Sequence, residues 1–310
     1  MKSGMVLSVV SLMLVSHAFP DSPGRSEKAN ASKIIGAFTK NRAAFEQYLV
    51  LVDIDRSSES LKNATASANS RGVVLHSYDA QRELSRVDDQ WEVTTIDQTA
   101  STMSVWKTIV EHRTERKEYM EGRLIKAYDG SLDKLKDPPL RIDPWSASLA
   151  SPVSFRNGTA ERNYELGEFP IEKLVKYADV ETNVIMRFQY GENSFCDITF
   201  DSKKGNMPVE CTWKVRENAF GFDELSKKAP QILPYCRIRT QWESVRDVGW
   251  VPIFMVRDMV AGDPRKPSYK EESVLRFSWV FGSDDFPVGV FDAEKFSAPS
   301  LLRILQGKVN

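Results

Sequence analysis

The sequence is poor in cysteine and histidine and carries almost no excess charge. Its 310 residues include three cysteines and three histidines, and the formal net charge is −1. Basic and acidic residues nearly cancel, with no long block of one sign, so the chain lacks the cationic footprint that phosphate backbones require of a nucleic-acid binder. Only His76 and His112 lie beyond the first eighteen residues, and neither has a second His or a Cys at metal-ligand spacing. Cys-x-x-Cys and His-Glu-x-x-His are missing, which leaves no zinc pattern. A phosphate-cradling Gly-rich loop and a Gly-x-Ser-x-Gly elbow are also missing, so no cofactor or nucleophile motif stands out and the chain reads as a non-enzyme. No apolar stretch after the N-terminus approaches the roughly 20 residues of a membrane-spanning helix. There is no repeat of fixed period.

Carboxylates are plentiful but poorly placed for joint chemistry. Asp88-Asp89 and Asp284-Asp285 are sequence neighbours, and neighbours on a strand point to opposite faces. Asp53 and Asp55 share a face and read as a solvated strand end.

The first eighteen residues are informative. Lys2 gives a basic start, Met5 to Val15 an apolar run too short to span a bilayer, and Ser16-His17-Ala18 a small-residue end. This is the layout of a secretory signal peptide, cut after Ala18, and it implies a periplasmic or extracellular protein. No Cys stands near the cut to carry a lipid anchor. Residues 19–29 read as a polar, flexible leader, and 30–310 as a single domain with a Pro-rich connection near 137–152. In an oxidising compartment two of Cys196, Cys211 and Cys236 would pair. Cys196 and Cys211 flank a hairpin whose turn is Lys203-Lys204-Gly205-Asn206, so they either form a cross-strand disulfide or remain buried thiols.

Ile34, Phe38, Phe45 and Leu49 recur at helical spacing, with Asn30 or Ser32 placed to cap the start. An apolar run from Tyr48 to Ile54 follows as a strand. Ser57 to Arg71 looks like a loop. Val73 to Tyr78 and Trp91 to Ile96 are strand-like, Val105 to Met120 suits helix or strand, and Arg123 to Tyr128 is a strand ending at Asp129-Gly130. Pro170 at a helix-start position suggests a short helix over Phe169 to Ala178. Thereafter alternation dominates. Val184, Met186, Phe188 and Tyr190 share one parity, as do Cys196, Ile198 and Phe200, then Val209, Cys211, Trp213 and Val215, and then Leu275, Phe277, Trp279 and Phe281. Two more strands, Arg237 to Val245 and Val251 to Val260, are of the same kind. Period-two alternation with one apolar face marks antiparallel strands packed on one side.

Ala37 to Tyr48 leading into a strand, Ala127-Tyr128-Asp129-Gly130, and Ile198 to Val209 resemble elements of periplasmic lipoprotein-carrier (LolA-type) proteins, and the layout is similar to that of bacterial exported proteins of comparable length. The resemblance implies an α+β, mostly β fold. Its core would be a strongly curved antiparallel sheet, an incomplete barrel, covered by the N-terminal helix and a short middle helix. No ligand-binding residue transfers by motif.

Phe188, Trp213, Trp242, Phe277 and Trp279 fall in these strands. Beneath covering helices they would be ordinary core; on an open concave face they would line a hydrophobic groove. The expectation is an exported binding or carrier-type protein for a lipid or other apolar small molecule. The alternative is a structural or interaction protein of the cell envelope with a fully packed sheet, where a partner docks on an exposed edge or the Pro-rich segment. Whether the sheet encloses open space separates the two.

Overall fold

A computed structural model describes residues 23–61, 68–95, 101–112, 115–129, 144–149, 169–216, 231–246, 248–281, 287 and 289–309. The elements in chain order are α1 (Arg25–Ala43), β1 (Gln47–Ser60), β2 (Ala68–Asp79), β3 (Leu84–Thr95), β4 (Thr102–Met103), β5 (Lys107–His112), β6 (Glu115–Met120), β7 (Arg123–Asp129), β8 (Leu174–Val180), β9 (Asn183–Gln189), β10 (Ser194–Asp201), β11 (Met207–Arg216), β12 (Ile232–Val245), β13 (Gly249–Asp263), β14 (Lys266–Phe281) and α2 (Ala298–Val309). All strands join one antiparallel sheet in the order β7-β6-β5-β3-β2-β1-β14-β13-β12-β11-β10-β9-β8, with β4 beside β3. Among the described residues the fold is mostly β, an open curved sheet with two α-helices.

Two meanders, β1 to β7 and β8 to β14, are sewn together by the first and last strands. Tyr48 lies opposite Phe281, Val50 opposite Trp279 and Val52 opposite Phe277. The unbroken apolar run of β1 follows from this central place. Tyr48, Val50, Val52 and Ile54 point to the inner face, where α1 packs. Leu49 and Leu51 point to the outer face, against Leu75, Val280, Val290, Leu301 and Leu305. A strand covered on both sides needs no polar parity.

The helix α1 begins at Arg25, inside the stretch expected to be a flexible leader. The carboxylate of Glu27 accepts from the backbone N–H of Gly24 at 2.6 Å, which satisfies a first-turn donor and draws the start forward. Ile34 and Phe38 are buried, and Phe38 meets Trp242 edge-on with ring centroids 6.2 Å apart. Asn41 fixes the other end: its Nδ2 donates to the carbonyl of Trp250, and its Oδ1 accepts from the N–H of Trp250. Gly249 allows this approach, since a Cβ there would stand 2.5 Å from Asn41 Oδ1.

Two further expectations are corrected. No middle helix spans Phe169 to Ala178. A single 3-10 turn, Ile171–Lys173, forms after Pro170, and the chain then extends at Leu174 into β8, whose pairing with β9 takes the backbone hydrogen bonds a helix would have used. The polar stretch from Ser57 is not all loop. β1 runs to Ser60 because Ser57 and Ser60 are held opposite Glu272 and Tyr269 of β14, and β2 starts at Ala68. The second helix lies at the C-terminus, where Leu301 and Leu305 are buried on the outer face. Residues 1–18, Gly130, Asp284-Asp285 and most of 137–152 lie outside the described residues. Val105 to Met120 resolves to strands, β5 and β6.

The hairpin β10–β11 turns as expected, with Gly205 at φ +62°. Cys196 is opposite Trp213 and Cys211 opposite Ile198, so the two cysteines are diagonal neighbours, with their sulfurs 3.5 Å apart as free thiols. Burial, with Cys211 beside it, pushes the Cys196 thiol well above its ordinary range. On the opposite face of β10, Asp197 accepts from Arg187 Nε and Nη2 at 2.5 and 2.6 Å and from Lys214 Nζ at 2.7 Å. Burial pushes this carboxyl up, but the Arg187 hydrogen bonds and the Lys214 charge overcome it and hold it below the usual range. A carboxyl lowered by folding adds stability above its unfolded pKa of about 3.9, and that stability is lost as pH falls through the lower folded value. Asp197→Asn is therefore expected to destabilise by about 1–3 kcal/mol at pH 6. In urea unfolding series, the gap from the parent should narrow progressively as pH falls below the unfolded carboxyl value of about 3.9.

Candidate functional site

The aromatic residues singled out in the sequence are found packed. Phe188, Trp213, Trp242 and Phe277 are buried, and Trp279 is partly buried against the same core. Two covers account for this. One is α1. The other is the short segment Pro144 to Leu149, which lies on β11 and β12. The indole N–H of Trp213 donates to the carbonyl of Leu149, and that of Trp145 to the carbonyl of Trp250. None of the five lines the open space on the inner face.

That space lies beside them. A cavity of about 520 Å3 opens between the C-terminal turns of α1 and the ends of β1, β2, β3 and β5. Its apolar wall is made by Phe45, Tyr48, Tyr78 and Trp145. Trp145 sits 5.1 Å from Phe45, 5.3 Å from Tyr48 and 5.0 Å from Trp279, centroid to centroid, and Tyr48 is 5.4 Å from Tyr78. Strand register explains the cluster: Tyr48 is opposite both Tyr78 and Phe281, so rings of three neighbouring strands share one end of the inner face.

The polar wall is made by Arg42 on α1, His76 on β2, Ser85 on β3, Glu111 on β5 and Glu83 on the β2–β3 turn. His76 is buried and meets the Tyr48 ring edge-on. Its Nε2 is 3.2 Å from Ser85 Oγ and its Nδ1 3.5 Å from Tyr48 Oη. Glu111 stands directly across from Ser85 and pairs at 3.9 Å with Arg116 of β6. Glu83 has a left-handed backbone, φ 53°, in a turn closed by its own N–H to the carbonyl of Ala80. Such a lining holds an amphipathic molecule, with rings for its apolar part and hydrogen-bonding groups to orient its polar end. Among the described residues no group of His, Cys, Asp or Glu is arranged to hold a metal ion.

A larger space of about 690 Å3 lies on the outer face, against Pro287, Val290, Phe291 and Asp292. Arg82, Lys117, Asp292 and Glu294 stand in its wall, and it lacks a comparable cluster of rings. Beneath it Arg86 and Asp88, both fully buried, form a bidentate ion pair. Arg86 Nη1 also donates to the carbonyl of Val290, and Thr108 Oγ1 to Asp88. Burial pushes the Asp88 carboxyl up, against the pull of Arg86.

Of the inner-face lining, Tyr48 and Tyr78 were legible as strand residues and His76 as an ordinary histidine. Trp145 was passed over inside the Pro-rich stretch. The missed signal was its size, since an indole in a connecting segment calls for a burial site. Nothing in the sequence placed Ser85 or Glu111 beside His76, because that juxtaposition depends on register.

No family model matches the chain, and no curated protein matches it. Solved structures do. A LolA superfamily protein from Nitrosomonas europaea is 11% identical with a TM-score of 0.39, over 84% of this chain and 96% of that one. A putative outer membrane lipoprotein-sorting protein domain from Vibrio parahaemolyticus is 10% identical with a TM-score of 0.38, over 85% of this chain and 97% of that one. Scores this low support no argument about ligand or site. The sheet rests on this chain's own strand pairing.

Proposed function

We propose that this is an exported binding or carrier-type protein that takes an amphipathic small molecule between α1 and the inner face of the sheet. The observation that supports it is the cavity walled by Phe45, Tyr48, Tyr78 and Trp145 on one side and hydrogen-bonding side chains on the other. Nile red, an uncharged dye that fluoresces in apolar surroundings, tests it. Saturable uptake is expected, lost in Ser85→Phe, which fills the cavity, while a cooperative urea transition shows that the variant still folds. Mass spectrometry of an organic extract of natively purified protein should recover a bound amphiphile. No dye uptake together with an empty extract would overturn the reading.

Export belongs to the same proposal. N-terminal sequencing of the secreted protein should start at Phe19, and a chain that keeps Met1 would count against it. In an oxidising compartment Cys196 and Cys211 are close enough to pair. The intact mass without reductant should then be lower by two hydrogens.

The interaction-protein alternative has one observation in its favour. β7 is an edge strand with Leu124 and Ile125 exposed, the kind of edge to which an extended partner segment adds. Loss of a co-purifying partner in Ile125→Lys would support it.

A further inference from the structure

The three cysteines are buried on three adjacent strands, β10, β11 and β12, and their register relates them. Cys196 on β10 and Cys236 on β12 both stand opposite Trp213 of β11, one on each side of it. Cys211 lies two residues before Trp213, opposite Ile198 on one side and Ile238 on the other. It is therefore the diagonal neighbour of Cys196 and of Cys236 alike, and the two diagonals have the same offset and the same direction. The first diagonal brings its sulfurs to 3.5 Å. The second repeats that relation across the next strand pair. Burial, the adjacent Cys211, and then Asp197 and Cys236 all push the Cys196 thiol up, so the three sulfurs share one electrostatic neighbourhood. Cys196 and Cys236 are placed differently from the two diagonal pairs. A whole strand separates them, about 9–10 Å, beyond the roughly 7 Å that a disulfide tolerates between Cα atoms.

We propose that Cys211 is a shared disulfide partner, bonding either Cys196 or Cys236, each bond excluding the other and leaving the third cysteine a thiol. This rests on the export reading, which supplies the oxidising surroundings. With oxidised glutathione as oxidant, one protein thiolate opens the glutathione disulfide and releases one glutathione thiol. A second protein thiolate then displaces the other, so two protein thiols lose the two hydrogens that one glutathione disulfide gains. The remaining cysteine, as thiolate, can attack Cys211 and release its first partner, which then takes up the proton; the pairing changes with no net oxidation. The choice of partner has two consequences. It staples β11 to β10 or to β12. It also governs a cleft of about 480 Å3 in whose wall Cys236 stands, because a bond to Cys211 withdraws that thiol.

Intact mass is the same for both bonds, so the test is a peptide map. The full mature chain is refolded from urea in a glutathione redox buffer, and remaining thiols are blocked with N-ethylmaleimide. Trypsin then cuts at Lys203, Lys204, Lys214 and Arg216, which separate the three cysteines. Both the Cys196–Cys211 and the Cys211–Cys236 peptides are expected, neither in fewer than about a tenth of the molecules. Cys196→Ala should form the Cys211–Cys236 bond, Cys236→Ala the Cys196–Cys211 bond, and Cys211→Ala should keep two thiols. A cooperative urea transition shows that each variant folds, and the parent's map decides alone where one does not. Recovery of the Cys196–Cys211 bond alone from the parent, or two thiols retained in folded Cys196→Ala, overturns the inference. A bond between Cys196 and Cys236 in Cys211→Ala overturns the register argument. Because the oxidation is done in vitro, none of these results depends on where the secreted chain begins.

Discussion

Arg86→Met is expected to lower the free energy of unfolding by about 3–5 kcal/mol, the penalty for breaking a buried ion pair from one side. Arg86 and Asp88 are both fully buried, so solvent cannot replace the lost partner. The substitution leaves the Asp88 carboxylate with the Thr108 hydroxyl and removes the donor that holds the Val290 carbonyl. That second loss matters because Val290 sits in the outer-face cluster with Leu301 and Leu305, and Arg86 ties this segment to β3. Proteolysis should therefore open the chain after residue 289 before it opens the sheet. The double change Arg86→Met with Asp88→Leu should recover most of the loss, since an apolar pair of similar volume replaces a buried ion pair at little net cost. Urea unfolding of the four proteins of this cycle measures the coupling. Additive effects would show that the pair does not act as a unit.

Trp145→Ala should cost about 3–5 kcal/mol, the range for removing a large ring from a packed site. Trp145 is 1% exposed, touches Phe45, Tyr48 and Trp279, and satisfies the carbonyl of Trp250 through its indole N–H. The same carbonyl also accepts from Asn41, so its loss should loosen the seat of α1 as well. Trp145→Phe keeps the apolar contact but not the donor, and should retain roughly half the lost stability. Thermal or urea unfolding gives the ranking. Ligand titration of both variants should show weaker binding even where folding is complete, because the ring is also part of the cavity wall.

The strands were legible where one face is wet. The alternating residues of β9, β10, β11 and β14 show their parity openly because their polar partners face solvent or ion pairs such as Arg187 with Asp197. The inner-face parity of Phe188, Trp213 and Phe277 was read correctly for the same reason. What occupies that face was not legible. The packing of Trp213 depends on a backbone carbonyl at Leu149, brought in by a segment whose sequence shows mainly prolines. The helix expected after Pro170 failed because a proline fixes only the first turn, while Leu174 and Tyr177 bury their side chains in the inner core once β8 pairs with β9. The C-terminal helix was missed although Leu301 and Leu305 recur at helical spacing. The site itself is a product of register: Ser85, His76 and Glu111 meet because β2, β3 and β5 are aligned at one end, and no local pattern encodes that alignment.

The pairing of β1 with β14 has a consequence for biosynthesis. Asp55 and Arg276 are 221 positions apart yet joined by an ion pair, so the middle of the sheet cannot assemble until β14 has left the ribosome. Closing so long a loop is entropically slow, and chains rich in distant contacts fold late. The seam between the two meanders is therefore the last part of the sheet to form.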